Sequence, residues 1–270
     1  MPDIQSRHNP KIKLLRALQR RSGRQRYGLC AVEGLRHIGA ALEANAEIAF
    51  LLWAPERLDS PFGRELVTTA QARGIPVLTT SAHLLDGVSG REHSQGMIAV
   101  VQRPSFSLES LNPHQHPWLV AVHQPQSPGN IGALLRTMDA VDASALLLLD
   151  GGVDPCAPEA IRASMGALFW LPVVSTSGDE FLPWARQQGY HLYGSSAHGT
   201  ADYRAVGYTK PLTLLLGNER HGLPPLYREA CEAVVSLPME GHGSSLNLAV
   251  AAGVLLYTIR ERLQPSPRRQ

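Results

Sequence analysis

Cysteine is scarce in this chain: Cys30, Cys156 and Cys231 are the only three in 270 residues. Isolated as they are, they offer neither a disulfide framework nor a CxxC metal or redox pair. No apolar run approaches the ~20 residues that span a bilayer, and the opening MPDIQSRHNPKIK has no apolar stretch of a signal peptide. No Gly-Lys-Ser/Thr exists, which excludes a Walker loop, and no G-x-S-x-G marks a hydrolase elbow. The run Leu146–Gly152 (LLLLDGG) lacks G-x-G-x-x-G spacing, and Val153-Asp154-Pro155 follows where a helix should begin. Eleven histidines are scattered, and His114 and His116 lack Cys or carboxylate partners at ligand spacing, so no metal is expected. Charged residues reach only 18% against 44% hydrophobic, enough apolar material to rule out disorder as the main state. These absences describe a soluble cytoplasmic protein with no membrane contact, of two domains at ~150 residues each.

The net charge of +2 conceals a split. Residues 1–26 carry eight basic side chains (Arg7, Lys11, Lys13, Arg16, Arg20, Arg21, Arg24 and Arg26) against one acid, Asp3, for +7. The other 244 residues hold 17 basic and 22 acidic groups, or −5. A basic arm on a mildly acidic body suits an anionic polymer met at one end, although a solvated basic helix face would read the same way.

Residues 1–103 alternate helical and strand-like patterns. Asn9-Pro10 opens an amphipathic helix through Leu18. Leu29–Val32, Ile48–Trp53, Pro76–Leu78 and Met97–Val101 read as strands, with a helix over Gly34–Ala44. Residues 104–117 lose periodicity and read as a linker. Beyond it, Trp118–Val122, Ala145–Leu149, His191–Tyr193, Leu212–Leu216 and Ala233–Leu237 are apolar runs too continuous for a half-exposed sheet. Helical patterns fall between them at Ile131–Val141, Glu159–Phe169, Asp179–Gln188 and Ser245–Leu263. The expectation is an α/β domain over 118–264, a parallel sheet with helices on both faces, preceded by a small α/β domain and followed by a frayed tail at 265–270. Ligands of such sheets sit at the C-terminal strand ends.

Three segments lie at those ends. In Ser127–Arg136, Asn130 is placed to cap a helix, and Gly132 and Arg136, four apart, share a face near its start. A missing side chain at Gly132 would admit a phosphate–sugar backbone within reach of the Arg136 fork; the plainer alternative is a capped helix with a surface arginine. In Leu214–Pro224 a buried strand ends in Gly217 and a polar turn, where Glu219 beside Arg220 also fits a surface ion pair. In Leu237–Leu248 a strand empties into a glycine-rich loop, and Ser245-Leu246-Asn247 opens a helix with Ser245 suited to capping. Asn247, one residue into an apolar helix, requires a polar partner.

In this order the segments resemble the three signature motifs of the SpoU family of RNA 2′-O-ribose methyltransferases, within the SPOUT class. They match as N-x-G-x-x-x-R (Asn130, Gly132, Arg136), G-N-E-x-x-G-L (Gly217 to Leu223) and P-M…S-S-L-N-L-A-V-A-A-G (Pro238 to Gly253). Glu33-Gly34 and His93-Ser94-Gln95-Gly96 are more loosely similar to the substrate-binding domain that precedes the catalytic domain in many members. One departure stands in the first motif: Thr137-Met138-Asp139-Ala140-Val141-Asp142 replaces the usual Ala and aromatic-Gly ending, and Asp139 is spaced to pair with Arg136.

The resemblance implies a deep trefoil knot, a homodimer, and S-adenosylmethionine held by Leu216, Gly217, Asn218, Leu237, Met239 and Leu246, largely through backbone atoms. It makes Arg136 the catalytic arginine, with Asn130 and Glu219 holding loop geometry and Ser245 and Asn247 completing the pocket. RNA is the implied substrate, ribosomal favoured over transfer RNA, gripped by Lys11, Lys13, Arg16, Arg20, Arg21, Arg24 and Arg26. Two other classes fit the same motifs: a non-catalytic RNA-binding protein that kept the fold, and a SPOUT enzyme that modifies a base.

Overall fold

A computed structural model describes residues 3–58, 60–89, 94–243 and 245–263. His93, Ser244 and the tail at 265–270 lie outside them. The chain divides into two compact units, one of residues 1–104 with 154–170, the other of 105–153 with 171–270.

The first unit begins with α1 (Pro10–Leu18), where the Asn9 side chain accepts from the Lys11 N–H at 2.9 Å and Ile12, Leu15 and Leu18 turn inward. Then come α2 (Arg21–Tyr27), β1 (Leu29–Glu33), α3 (Leu35–Glu43), β2 (Ile48–Trp53), α4 (Pro61–Ala72), β3 (Val77–Thr79), α5 (Ala82–Asp86) and β4 (Met97–Gln102). Its four-stranded sheet has the order β1-β4-β2-β3, with β4 antiparallel to both neighbours and β2 parallel to β3. Ile12, Leu15 and Leu18 pack with Phe50, Leu52, Ile98 and Val100 into its core.

The second unit runs β5 (Trp118–His123), α6 (Pro128–Val141) and β6 (Ala145–Leu149). The chain then contributes α7 (Pro158–Ser164) to the first unit before returning. It continues through β7 (Val173–Thr176), α8 (Gly178–Gln187), β8 (His191–Ser195), β9 (Ala201–Asp202), β10 (Leu212–Leu216), α9 (Pro225–Ala230), β11 (Ala233–Ser236) and α10 (Leu248–Leu263). Seven strands pair in the order β7-β6-β5-β10-β8-β11-β9, every ladder parallel. Side chains alternate between faces along a strand. Leu119, Ala121, Leu147 and Leu215 pack against Phe181 and Ala185 of α8 and Tyr227 of α9. The alternate residues Val120, Val122, Leu146, Leu148, Leu214 and Leu216 are equally buried on the opposite face. Both faces are therefore covered, as the continuous apolar runs require.

The structure adds α2, α4, α5, α9, β7 and β9, to which the sequence reading gave no range, and differs from that reading at four further places. Residues 105–117 are not a free linker: Leu108 and Leu111 enter the second unit's core, and Phe106 bridges Val174. The helix expected over Glu159–Phe169 breaks after Ser164, where Met165 and Gly166 take positive φ of 53° and 102°. Ser127, not Asn130, caps α6, accepting from the Asn130 N–H at 3.3 Å. At α10 the cap is Asn247 rather than Ser245, its Oδ1 accepting from Ala249 N–H at 2.9 Å and Val250 N–H at 3.4 Å. In both helices the cap is the polar residue immediately before the first helical position, from which a side-chain oxygen reaches the free amide donors.

Candidate active site

β5 and β10 lie side by side in register, Val122 opposite Leu216, so the chains leaving them emerge together at the C-terminal edge of the sheet. The turn after β10 closes on itself: the Asn218 and Gly222 backbones exchange hydrogen bonds at 3.0 and 2.8 Å. A Cβ on Gly217 would overlap the backbone of Gly222 and Leu223, so only glycine allows this closure. Asn218, 6% exposed, locks the turn by donating from Nδ2 to the Gln124 carbonyl at 2.6 Å, while its Oδ1 accepts from the Arg220 and His221 N–H groups.

Glu219 thereby faces the start of α6. Its carboxylate accepts from the Gln126 N–H at 3.0 Å, the Ser127 N–H at 3.3 Å and Asn130 Nδ2 at 3.1 Å. Asn247 Nδ2, arriving from beyond β11, donates to Asn130 Oδ1 at 3.0 Å. The polar partner that Asn247 demanded is thus the asparagine of the first motif. The carboxylate sits at a helix N-terminus, where amide donors and the helix dipole favour negative charge. Gln126, Ser127, Asn130, Glu219, Arg220 and Ser245–Leu248 enclose a cleft of about 420 Å3.

Of the expected catalytic residues, Asn130, Glu219, Ser245 and Asn247 line this cleft, as does Leu246 of the expected cofactor contacts. Leu216 and Asn218 are buried beneath it, 2% and 6% exposed; Gly217 and Leu237 are half-buried and Met239 is exposed. Arg136 does not line it: the guanidinium projects from the exposed side of α6, six residues, or about 9 Å along the axis, past Asn130. It makes no ion pair among the described residues, so the pairing with Asp139 does not form. Gly132 is buried on the inner side of α6 and cannot open a path for a phosphate. Arg220 is the residue that sequence reasoning passed over. With Glu219 occupied by amides and Asn130, the expected surface ion pair is not made, and the Arg220 guanidinium is exposed at the cleft.

Behind the cleft, at the ends of β5 and β6, His123 Nε2 lies 3.5 Å from Asp150. The Tyr227 hydroxyl donates to the same carboxylate, and Gly178 N–H donates to its other oxygen at 2.9 Å. Burial pushes the His123 pKa down, and Asp150 opposes it in part.

On the first unit, Lys13, Arg16, Arg20, Arg21 and Arg26 are exposed as expected of a polyanion grip. Lys11 is half-buried with its ammonium 4.2 Å from the Phe50 ring centroid. Arg24 is a correction: it is 4% exposed and cannot touch RNA. Its Nε donates to Asp154 at 2.7 Å and its Nη1 to the Leu18 and Gln19 carbonyls at 2.9 and 3.1 Å.

Residues 117–257 match the SpoU rRNA methylase family, and residues 9–99 match the MRM3-like substrate-binding domain. The chain is 34% identical to the 23S rRNA (uridine(2479)-2′-O)-methyltransferase of Streptomyces viridochromogenes, over 91% of this chain and 88% of that one. It is 27% identical to the Bacillus subtilis 23S rRNA (guanosine(2553)-2′-O)-methyltransferase RlmP, over 96% and 100%. Among solved structures, the AdoMet-bound rRNA methyltransferase of Sinorhizobium meliloti superposes with a TM-score of 0.88 at 30% identity, covering 97% of this chain and 98% of that one. The AdoMet complex of the SpoU methyltransferase AviRb from Streptomyces viridochromogenes does so with 0.83 at 33% identity, covering 94% and 99%. With the three motif segments converging on one cleft at the sheet's C-terminal edge, the chain belongs to the SpoU rRNA methylase family.

Proposed function

We propose that the protein transfers a methyl group from S-adenosylmethionine to the 2′-hydroxyl of a ribose in ribosomal RNA. The observation that carries this reading is the Asn247–Asn130–Glu219 chain of hydrogen bonds, which ties all three motif segments to one cleft. Relatives along nearly the whole chain are named 23S rRNA 2′-O-methyltransferases, and two structural neighbours hold the cofactor.

The cleft suits S-adenosylmethionine. Its ~420 Å3 lies within the range of small-molecule sites. Leu246 and Met239, 40% and 39% exposed, offer apolar surface to a flat heterocycle, and the Gly217 turn and Leu237 offer backbone groups. We assign Leu216, Gly217, Asn218, Leu237, Met239 and Leu246 to the cofactor. When bound, it supplies an electrophilic methyl on a sulfonium. The knot implied by the resemblance belongs to the same reading, supported by the meeting of the 217–223 and 245–247 loops in one cleft.

A ribose hydroxyl is a poor nucleophile at neutral pH and needs a base or a positive field. A guanidinium with pKa above ~12 is a poor base. To Arg136, exposed on α6 outside the cleft of a single chain, we assign on the family resemblance the stabilisation of the developing alkoxide and the hold on the adjacent phosphate, with the proton leaving to solvent or a neighbouring group. Asn130 and Glu219 keep the loop geometry, and Ser245 and Asn247 complete the wall. The exposed basic residues of the first unit grip RNA.

We place the active form as a homodimer in the cytoplasm. α10 exposes Val250, Val254 and Tyr257 (54%, 39% and 53%) on one apolar stripe, a surface that a second copy would cover; free Cys30, Cys156 and Cys231 suit a reducing compartment. The deciding experiment incubates the protein with S-adenosylmethionine and unmodified 23S rRNA and maps new alkali-resistant linkages. A new resistant linkage is expected. Methylated RNA without one would point to a base methyltransferase, and cofactor binding or RNA binding without transfer would point to a non-catalytic member.

A further inference from the structure

A second built cavity, of about 420 Å3, opens where α1 gives way to α2. Arg16, Arg20, Ser22, Arg26 and Tyr27 line it, and none of its lining residues is acidic. The corner is held from below. Buried Arg24 ties the last carbonyls of α1, those of Leu18 and Gln19, to the Asp154 carboxylate. Gly23 packs against the Ala17 backbone so closely that a Cβ would overlap it. On this fixed corner Tyr27 stands 45% exposed, with the Arg26 guanidinium 5.4 Å from its ring centroid. An exposed aromatic ring beside three unburied guanidinium groups is the combination that holds single-stranded nucleic acid: the ring stacks a base and the cations pair with phosphates.

We propose that this corner binds one unpaired RNA nucleotide, its base stacked on Tyr27 and its flanking phosphates held by Arg16, Arg20 and Arg26. The inference rests on the RNA-methyltransferase reading and sharpens it, since the first unit would then select a loop or bulge rather than a duplex.

Stacking and phosphate pairing separate by salt. The full-length protein is titrated at about 50 to 200 mM salt with an oligoadenylate of about eight nucleotides carrying a central 2-aminopurine, and with an RNA duplex of similar length. Wild type and Tyr27→Phe should bind the single strand more tightly than the duplex and change the 2-aminopurine fluorescence. Tyr27→Ala should bind the single strand about tenfold more weakly, with an unchanged salt slope and no fluorescence change. Arg16→Ala and Arg20→Ala should each lower the salt slope by about 0.7. The site is disproved if Tyr27→Ala binds like wild type, if wild type ignores the single strand, or if duplex is preferred. Calorimetry with S-adenosylmethionine on the same samples keeps the two readings apart. Cofactor binding that persists while the Tyr27 effect is absent overturns this site alone, whereas no binding of cofactor or 23S rRNA overturns the enzyme reading.

Discussion

Asn130 sits between two loops with both ends of its amide engaged: Oδ1 accepts from Asn247 Nδ2 at 3.0 Å, and Nδ2 donates to Glu219 Oε1 at 3.1 Å. The arrangement has a direction, because only a group that accepts on one side and donates on the other satisfies both neighbours.

Asn130→Asp keeps the shape but sets a second carboxylate against Glu219. A loss of stability of about 1–3 kcal/mol is expected, together with weaker S-adenosylmethionine binding. Both should recover in part at pH 5, where one carboxylate takes up a proton. Thermal melts and calorimetry at pH 5 and 7.5 check this; an Asn130→Asp variant as stable and active as wild type at pH 7.5 refutes the relay.

Arg136 is exposed and makes no ion pair among the described residues, so its removal should spare the fold. Arg136→Ala is expected to shift stability by no more than about 0.5 kcal/mol while lowering single-turnover methyl transfer by about a hundredfold or more. Arg136→Lys should also lose most turnover. Substantial activity in that variant, rising toward the lysine pKa, would make residue 136 the base and overturn its role as a charge stabiliser.

Arg24 and Arg20 are four residues apart in a basic run, yet opposite outcomes are expected. Arg24→Met removes the nearer of the two cations on Asp154, leaving Arg103 Nη2 at 3.4 Å and the Cys156 N–H at 2.9 Å on the other oxygen, and should cost about 1–3 kcal/mol. Arg20→Ala should leave the melting temperature unchanged and weaken RNA binding most at low salt. Melting curves and salt-dependent titrations of both variants separate the two roles.

His123 is held neutral by burial, its pKa below the ordinary ~6.5. A depressed folded value means that stability is complete above the unfolded pKa and falls as pH drops from there through the folded value. The melting temperature should therefore decline from pH 7 toward pH 5, and less so in His123→Gln. An equal decline in the two proteins would exclude His123 as the source.

Val254→Glu places a charge in the apolar stripe of α10 and should leave a folded monomer by sedimentation, with little transfer activity. A wild-type monomer, or a dimeric variant, would remove that surface as the interface.

Whereas β9, two residues long, left no pattern, five of the second unit's seven strands were legible because burial on both faces writes itself as unbroken apolar runs such as Leu146–Leu149. β7 was not: Val173–Thr176 is short and half polar, with Ser175 exposed at the sheet edge. Asn247 announced a partner by being polar in an apolar setting, but naming Asn130 required the fold, because 117 residues separate them. Arg220 was misjudged for a similar reason. Its neighbour Glu219 looked like the natural counter-ion, and nothing local reveals that three amide donors and capping geometry had already claimed that carboxylate. Arg24 shows the limit of charge counting, since an arginine in a basic run reads as surface until its distant acid, Asp154, is seen.

Because Asp154 and α7 return to the first unit, a gene fragment ending near residue 104 encodes an incomplete hydrophobic core and an arginine without its acid. Domain swaps between relatives, or expression of the first unit alone, would have to carry residues 154–170 along as a grafted segment. Trimming the first 26 residues is equally unclean, for it takes away Arg24, the nearer of the two cations that hold Asp154.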